Sequence, residues 1–89
     1  MPYNSKAFGI VISRLRTKKG LSQEAVSALA GIARSHLAML ESGRKTVRLD
    51  TLFRIADALS LSPAELVRLT EEESQRTEAF SGEENRLRT

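Results

Sequence analysis

Apolar residues recur at three- and four-residue intervals along most of the chain, which is the spacing of one helix face and not the strict alternation of a strand. The pattern is clearest from Gly20 to Gly43, GLSQEAVSALAGIARSHLAMLESG. It predicts two short helices, Ser22 to Ala30 and Arg34 to Ser42, joined by a tight turn that pivots on Gly31. Ser22 stands where its hydroxyl can accept from backbone N–H groups one turn in, and Gln23 and Glu24 follow where acceptors suit the positive end of the helix dipole. Val26, Leu29 and Ala30 make the inward face of the first of these helices. Leu37 and Leu40 make that of the second, with Ile32 joining them from the turn, while Arg34, Ser35, Ala38 and Met39 point elsewhere. Gly31 and Gly43 end their helices, because a residue without Cβ enters the left-handed region without a clash.

Three further helices flank this pair. Residues 5–19 predict the first, capped by Ser5, with Ala7 or Phe8, Val11 or Ile12, and Leu15 on the inward stripe and Lys18, Lys19 and Gly20 closing it. Gly9 costs that helix about 1 kcal/mol relative to Ala, a cost that a close helix contact would justify. Leu49 to Leu59 predicts the fourth, with Leu49, Leu52, Ile55, Ala56 and Leu59 inward and Phe53 off the stripe. The fifth opens at Ser62-Pro63-Ala64-Glu65, a cap, a proline at the first helical position and a glutamate three after the cap, the pattern of a capping box. Leu66 and Leu69 carry its apolar face and Val67 extends it sideways. Helix is expected to run on past Thr70, with Glu71, Glu72 and Glu73 solvated; beyond Phe80 the apolar content is too low to hold a fold. The expected plan is an irregular arm over residues 1–4, a folded domain over 5–70, and an acidic extension over 71–89, helical first and disordered at its end.

Two helices about a glycine turn form a helix-turn-helix, and the residues around this one are specific. Gly20-Leu21-Ser22-Gln23-Glu24, Ala30-Gly31-Ile32, Leu37, Leu40-Glu41-Ser42-Gly43, then Leu49, Leu52, Ile55-Ala56 and Ala58-Leu59 stand in register with one another. From about Phe8 to Leu66 the chain resembles the Cro/repressor-type helix-turn-helix domain, the xenobiotic-response-element family of bacterial and phage regulators. The resemblance implies an all-α, compact, lambda-repressor-like five-helix bundle with a central helix-turn-helix. It implies a sequence-specific transcriptional regulator that binds double-stranded DNA through the major groove, similar to the small controller proteins of restriction-modification systems and to compact phage-type repressors. It also implies a homodimer on a pseudo-palindromic operator, since one helix-turn-helix reads few base pairs.

Carried over residue by residue, the resemblance assigns base reading to Arg34, Ser35, Ala38 and Met39. Arg34 is the strongest of these, because a guanidinium donates two parallel hydrogen bonds to guanine O6 and N7; a phosphate contact or a salt bridge is the alternative. Met39 and Ala38 suit thymine methyl groups, and Ser35 specifies less. Gln23 stands where the family holds a phosphate with the first motif helix, although N-terminal capping would also account for it. Arg16, Lys19, Arg44, Lys45 and Arg48 are further candidate phosphate contacts, and His36 stands near the backbone. Phe53, Leu61 and Val67 are candidates for the dimer interface. Two positions depart from the family pattern: Ala33 and Arg48 stand where small capping residues usually precede the third and fourth helices, an absence that costs about 0.5 to 2 kcal/mol each.

Charge sharpens this picture. The net charge is +3, but residues 1–70 hold eleven Lys and Arg against five acids and residues 71–89 three Arg against six Glu. A basic domain with an acidic end suits a polyanion, with the end either tempering non-specific attraction or serving solubility. There is no Cys, so no disulfide or thiolate site exists, and the single His has no partner with metal-ligand spacing. No cofactor or metal is expected. The chain offers no nucleophile and base, no glycine-rich phosphate loop and no carboxylate cluster, so an enzyme is not expected. Without an apolar run of about 20 residues or a signal-peptide pattern, a cytoplasmic protein with no membrane partner is expected. The alternative is an antitoxin-like or adaptor protein that docks another protein through its acidic end.

Overall fold

In the computed structural model the backbone of residues 2–88 and the side chains of residues 2–78 are described. Five helices follow one another: α1 (Ser5–Lys18), α2 (Gln23–Ala30), α3 (Arg34–Glu41), α4 (Leu49–Ala58) and α5 (Pro63–Arg88); no strand occurs among the described residues. The expected end of order beyond Phe80 falls on residues whose side chains lie outside those described.

Helix ends follow local chemistry. Asn4, not Ser5, caps α1: its Oδ1 accepts from the Ala7 amide at 3.1 Å, which leaves Ser5 as the first helical residue. Ser22 caps α2 by accepting from the Ala25 amide at 3.0 Å, and Gly31 closes α2 at φ 70°. Ser62 accepts from the Glu65 amide at 3.1 Å, but the reciprocal half of the capping box is not made. Glu65 turns to Arg68 instead, at 2.7 Å, and that hydrogen bond holds its carboxyl below the ordinary range. Ala33 and Arg48 precede α3 and α4 with no side-chain cap. The end of α4 carried no glycine to mark it, yet Ser60 takes the left-handed conformation at φ 61° so that the Leu61 amide can donate back to the Ala56 carbonyl at 3.0 Å.

All five helices contribute to one core, whose fully buried side chains include Phe8, Ile12, Val26, Leu37, Leu40, Ile55, Leu59 and Leu66. Two residues expected there are not. Leu29 is 65% exposed and Leu49 68% exposed. In α2 the buried face is Val26, Ser27 and Ala30, and Ser27 is tolerated there because its hydroxyl donates to the Glu24 carbonyl at 2.9 Å. In α4 the inward stripe runs through Thr51, Leu52, Ile55 and Ala56, which turns the first residue of the helix outward. Glu73 also departs from expectation: its side chain is 9% exposed and lies between Arg14 of α1 at 2.9 Å and Arg76 at 2.7 Å. Thr70 and Ser74 beside it are buried, their hydroxyls donating to main-chain carbonyls one turn back. α5 is therefore held against α1 well beyond residue 70.

Gly9 shows why α1 and α3 can touch. A Cβ built there would lie 2.4 Å from the Glu41 carbonyl oxygen and 2.5 Å from that of Leu40, so the two backbones meet directly. Gly9→Ala should therefore lower stability. The gain of about 1 kcal/mol in helix propensity is outweighed by overpacking against backbone, and a net loss on the order of 1–3 kcal/mol is expected. Denaturant unfolding at constant m checks this, and a variant as stable as the parent would show that α1 and α3 separate without penalty.

Candidate nucleic-acid interface

The turn between α2 and α3 is short because Gly31 is left-handed and the Ile32 amide donates back to the Ser27 carbonyl at 3.0 Å. Leu37 and Leu40 then press the inner face of α3 into the core. Its last residue, Glu41, supplies the remaining constraint. One carboxylate oxygen accepts from Arg16 Nε at 2.7 Å; the other accepts from Arg16 Nη2 and from Gln23 Nε2, each at 3.0 Å. The remaining Arg16 nitrogen, Nη1, donates to the Leu21 carbonyl at 2.8 Å. A single carboxylate thus ties together α1, the segment after it, the first turn of α2 and the end of α3. The Glu41 side chain is 7% exposed and that of Arg16 17%. The hydrogen bonds that Arg16 donates to Glu41 raise its affinity for its proton above the ordinary, against the opposing effect of burial.

This network gives two of the candidate phosphate contacts an internal partner. Arg16 and Gln23 are candidates for phosphate, and in the free chain Arg16 Nε and Nη2 and Gln23 Nε2 donate to Glu41, a nearly buried carboxylate that requires such partners. The other candidates stand outward. On α3, Arg34, Ser35 and Met39 are exposed, and His36 and Ala38 are half-buried. Lys19, Arg44, Lys45 and Arg48 are exposed in the segments flanking the motif.

Ion pairing sorts the basic residues further. Arg14 and Arg76 are paired to Glu73, Arg16 to Glu41, and Arg68 to Glu65 and Glu72. Arg48 lies 3.5 Å from Asp50, with both side chains mostly in water. Among the described residues, Arg34, Arg44, Lys45 and Lys19 make no ion pair. The surface of α3 and the loop that follows it is thus a run of uncompensated positive charge.

Sequence reasoning gave no role to the arm. Tyr3 packs on Phe8 with ring centroids 6.4 Å apart, and its hydroxyl accepts a long hydrogen bond from the Val47 amide at 3.5 Å, so the arm reaches the basic loop. No spacing signal pointed to this contact, since it joins residues far apart in the chain. The three candidates for a dimer interface are dispersed. Phe53 lines an open groove with Arg48, Leu49 and Asp50; Val67 lines another with Pro2, Tyr3, Asn4 and Ser74; Leu61 packs partly against the core. Among the described residues no three His, Asp or Glu converge as for a metal, and no helix is long and apolar enough to cross a membrane.

Comparison with known proteins agrees with this geometry. Residues 12–66 match the family described as Helix-turn-helix. The chain is 43% identical over 67 residues to the uncharacterized HTH-type transcriptional regulator y4dJ of Sinorhizobium fredii, an alignment that covers 75% of this chain and 87% of that protein. Among solved structures it is similar to the restriction-modification controller protein C.AhdI of Aeromonas hydrophila, with a TM-score of 0.68 at 40% identity over 70% of this chain and 94% of that one. It also shares its fold with the clp gene regulator ClgR of Corynebacterium glutamicum, at a TM-score of 0.83 and 24% identity over 97% of this chain and 90% of that one.

The clamp on α3 predicts a non-additive pair of substitutions. Glu41→Ala strands a poorly exposed guanidinium and should cost about 3 kcal/mol, whereas Arg16→Met with Glu41→Leu should recover most of that loss. Chemical denaturation of the two single variants and the double variant checks the coupling, and strictly additive losses would show that the pair does not act as a unit.

Proposed function

We propose, from the premise that this chain belongs to the helix-turn-helix family of transcriptional regulators, that it binds a pseudo-palindromic operator as a homodimer with α3 in the major groove. Family membership makes it a DNA-binding regulator and not an enzyme. The observation that carries the finer reading is the exposed guanidinium of Arg34, with no ion-pair partner among the described residues, in the first turn of a helix locked on its inner face.

Arg34 is the residue that reads a guanine in each half-site, donating to O6 and N7. Ser35 and Met39 lie beside it on the exposed face, with Ala38 half-buried at its edge, and the two apolar ones suit thymine methyl groups. Lys19, Arg44, Lys45, Arg48 and the half-buried His36 position the domain on phosphates without reading sequence. An eight-residue α3 is about 12 Å long, little more than three base-pair steps of about 3.4 Å, so one copy selects too short a site for a genome. Two copies with reading helices roughly 34 Å apart supply the missing length. The 40% identity to C.AhdI favours a regulator of the restriction-modification controller kind.

Selection of binding sites from a random duplex pool tests this directly. The wild-type chain should return a two-fold symmetric motif, and Arg34→Ala should lose the preference for guanine at one position per half, a discrimination of about 1–3 kcal/mol. Failure to return any motif would overturn operator binding; an unchanged motif with Arg34→Ala would overturn only its role. Salt titration adds a second measure. Four cationic side chains per protomer on phosphates give a log–log slope of about −7 for a dimer, and Lys45→Ala should reduce its magnitude by about 2 while leaving the motif unchanged.

A further inference from the structure

Lys6 is the second residue of α1, at the end where unpaired backbone N–H groups favour an acid and disfavour a cation. α2, α4 and α5 each carry an acid in the first turn: Glu24, Asp50 and Glu65. α1 and α3 carry none, and α3 opens instead with Arg34. Lys6 is exposed and makes no ion pair among the described residues. The fold gains nothing from its charge, a local mismatch of the kind that marks a residue serving something outside the chain.

Two contacts fix its place. A Cβ on Gly43 would lie 3.0 Å from both Cα and Cγ of Lys6, so the stem of the lysine rests on the backbone that leaves α3. Tyr3 accepts from the Val47 amide, further along the same loop. The two contacts run in opposite order along the two segments, so residues 3–6 lie beside residues 43–47. The fold thus sets an uncompensated cation of α1 against the loop that carries Arg44 and Lys45.

We propose that Lys6 is a further phosphate contact, meeting the strand beside Arg44 and making the first turn of α1 the outer edge of the DNA-binding surface. The proposal rests on the DNA-binding reading above and lengthens the surface it uses. Arg44 directly follows Gly43, and the phosphates of one strand recur about every 3.4 Å along the helix axis, so cations that stand side by side on the protein fall on neighbouring phosphates. An ammonium there positions the domain and carries no sequence information. α1 is also the helix whose backbone meets that of α3 at Gly9, so a phosphate held by Lys6 helps to fix how α3 is offered to the groove.

Salt titration of operator binding, with Lys6→Gln, Lys6→Arg and Lys6→Glu beside the parent, gives the test. A fifth cation per protomer raises the magnitude of the parent's log–log slope to about 9 for a dimer. Lys6→Gln should lower that magnitude by about 2, weaken binding about tenfold or more at roughly 0.1 M salt and return the same motif, whereas Lys6→Arg should bind as the parent does. Arg68→Gln removes the same charge from α5 and should leave the slope unchanged; an equal fall in both variants would reduce the effect to net charge and overturn the contact. Thermal unfolding is an independent readout: Lys6→Glu should unfold at or above the parent's midpoint and yet bind most weakly. Lys6→Gln with the parent's slope overturns the contact, and so does a loss of affinity matched by a loss of stability, since Lys6 would then act on the fold. A parent that selects no operator would instead overturn the reading on which the contact rests, which separates the two failures.

Discussion

Glu41 lies at the end of α3 with its carboxylate almost wholly out of water, and a charge in that position is tolerated only if donors surround it. It has three, from Arg16 twice and from Gln23 once. On the other side of the same residue its main-chain carbonyl lies so close to Gly9 that a methyl group would not fit. Side chain and backbone of one residue thus fix the distance between α1 and α3 and the approach of α2. On the proposed reading, in which α3 is offered to DNA, recognition depends on this internal contact as well as on the reading side chains. A loosened clamp would leave Arg34 present but misplaced.

The distribution of acids and bases follows from the same arrangement. Glutamates at 41, 65, 72 and 73 are spent on arginines of the scaffold, and Glu73 pins α5 to α1 through Arg14. Neutralisation within the scaffold leaves the uncompensated cations around the helix-turn-helix, where a polyanion can meet them without first breaking ion pairs.

The five helices, the turn at Gly31, the inward Leu37 and Leu40 and the outward Arg34 were legible in the sequence, because each depends on residues within one or two turns of chain: a cap, a glycine, a spacing of three and four. Leu29, Leu49 and Glu73 were misjudged, and the internal partner of Arg16 and Gln23 was missed, for a common physical reason. Periodicity marks a stripe on a helix but not which edge of the stripe a neighbouring helix will cover. Charge marks a residue as able to pair but not with which partner. Arg16 meets Glu41 across 25 positions and Arg14 meets Glu73 across 59, separations that only the packed chain brings together. The sequence by itself determined the elements, the turn at Gly31 and the kind of surface the motif presents. The tertiary structure decided which cations stay free for DNA and which apolar face stays uncovered, because both depend on contacts between segments that no local pattern encodes.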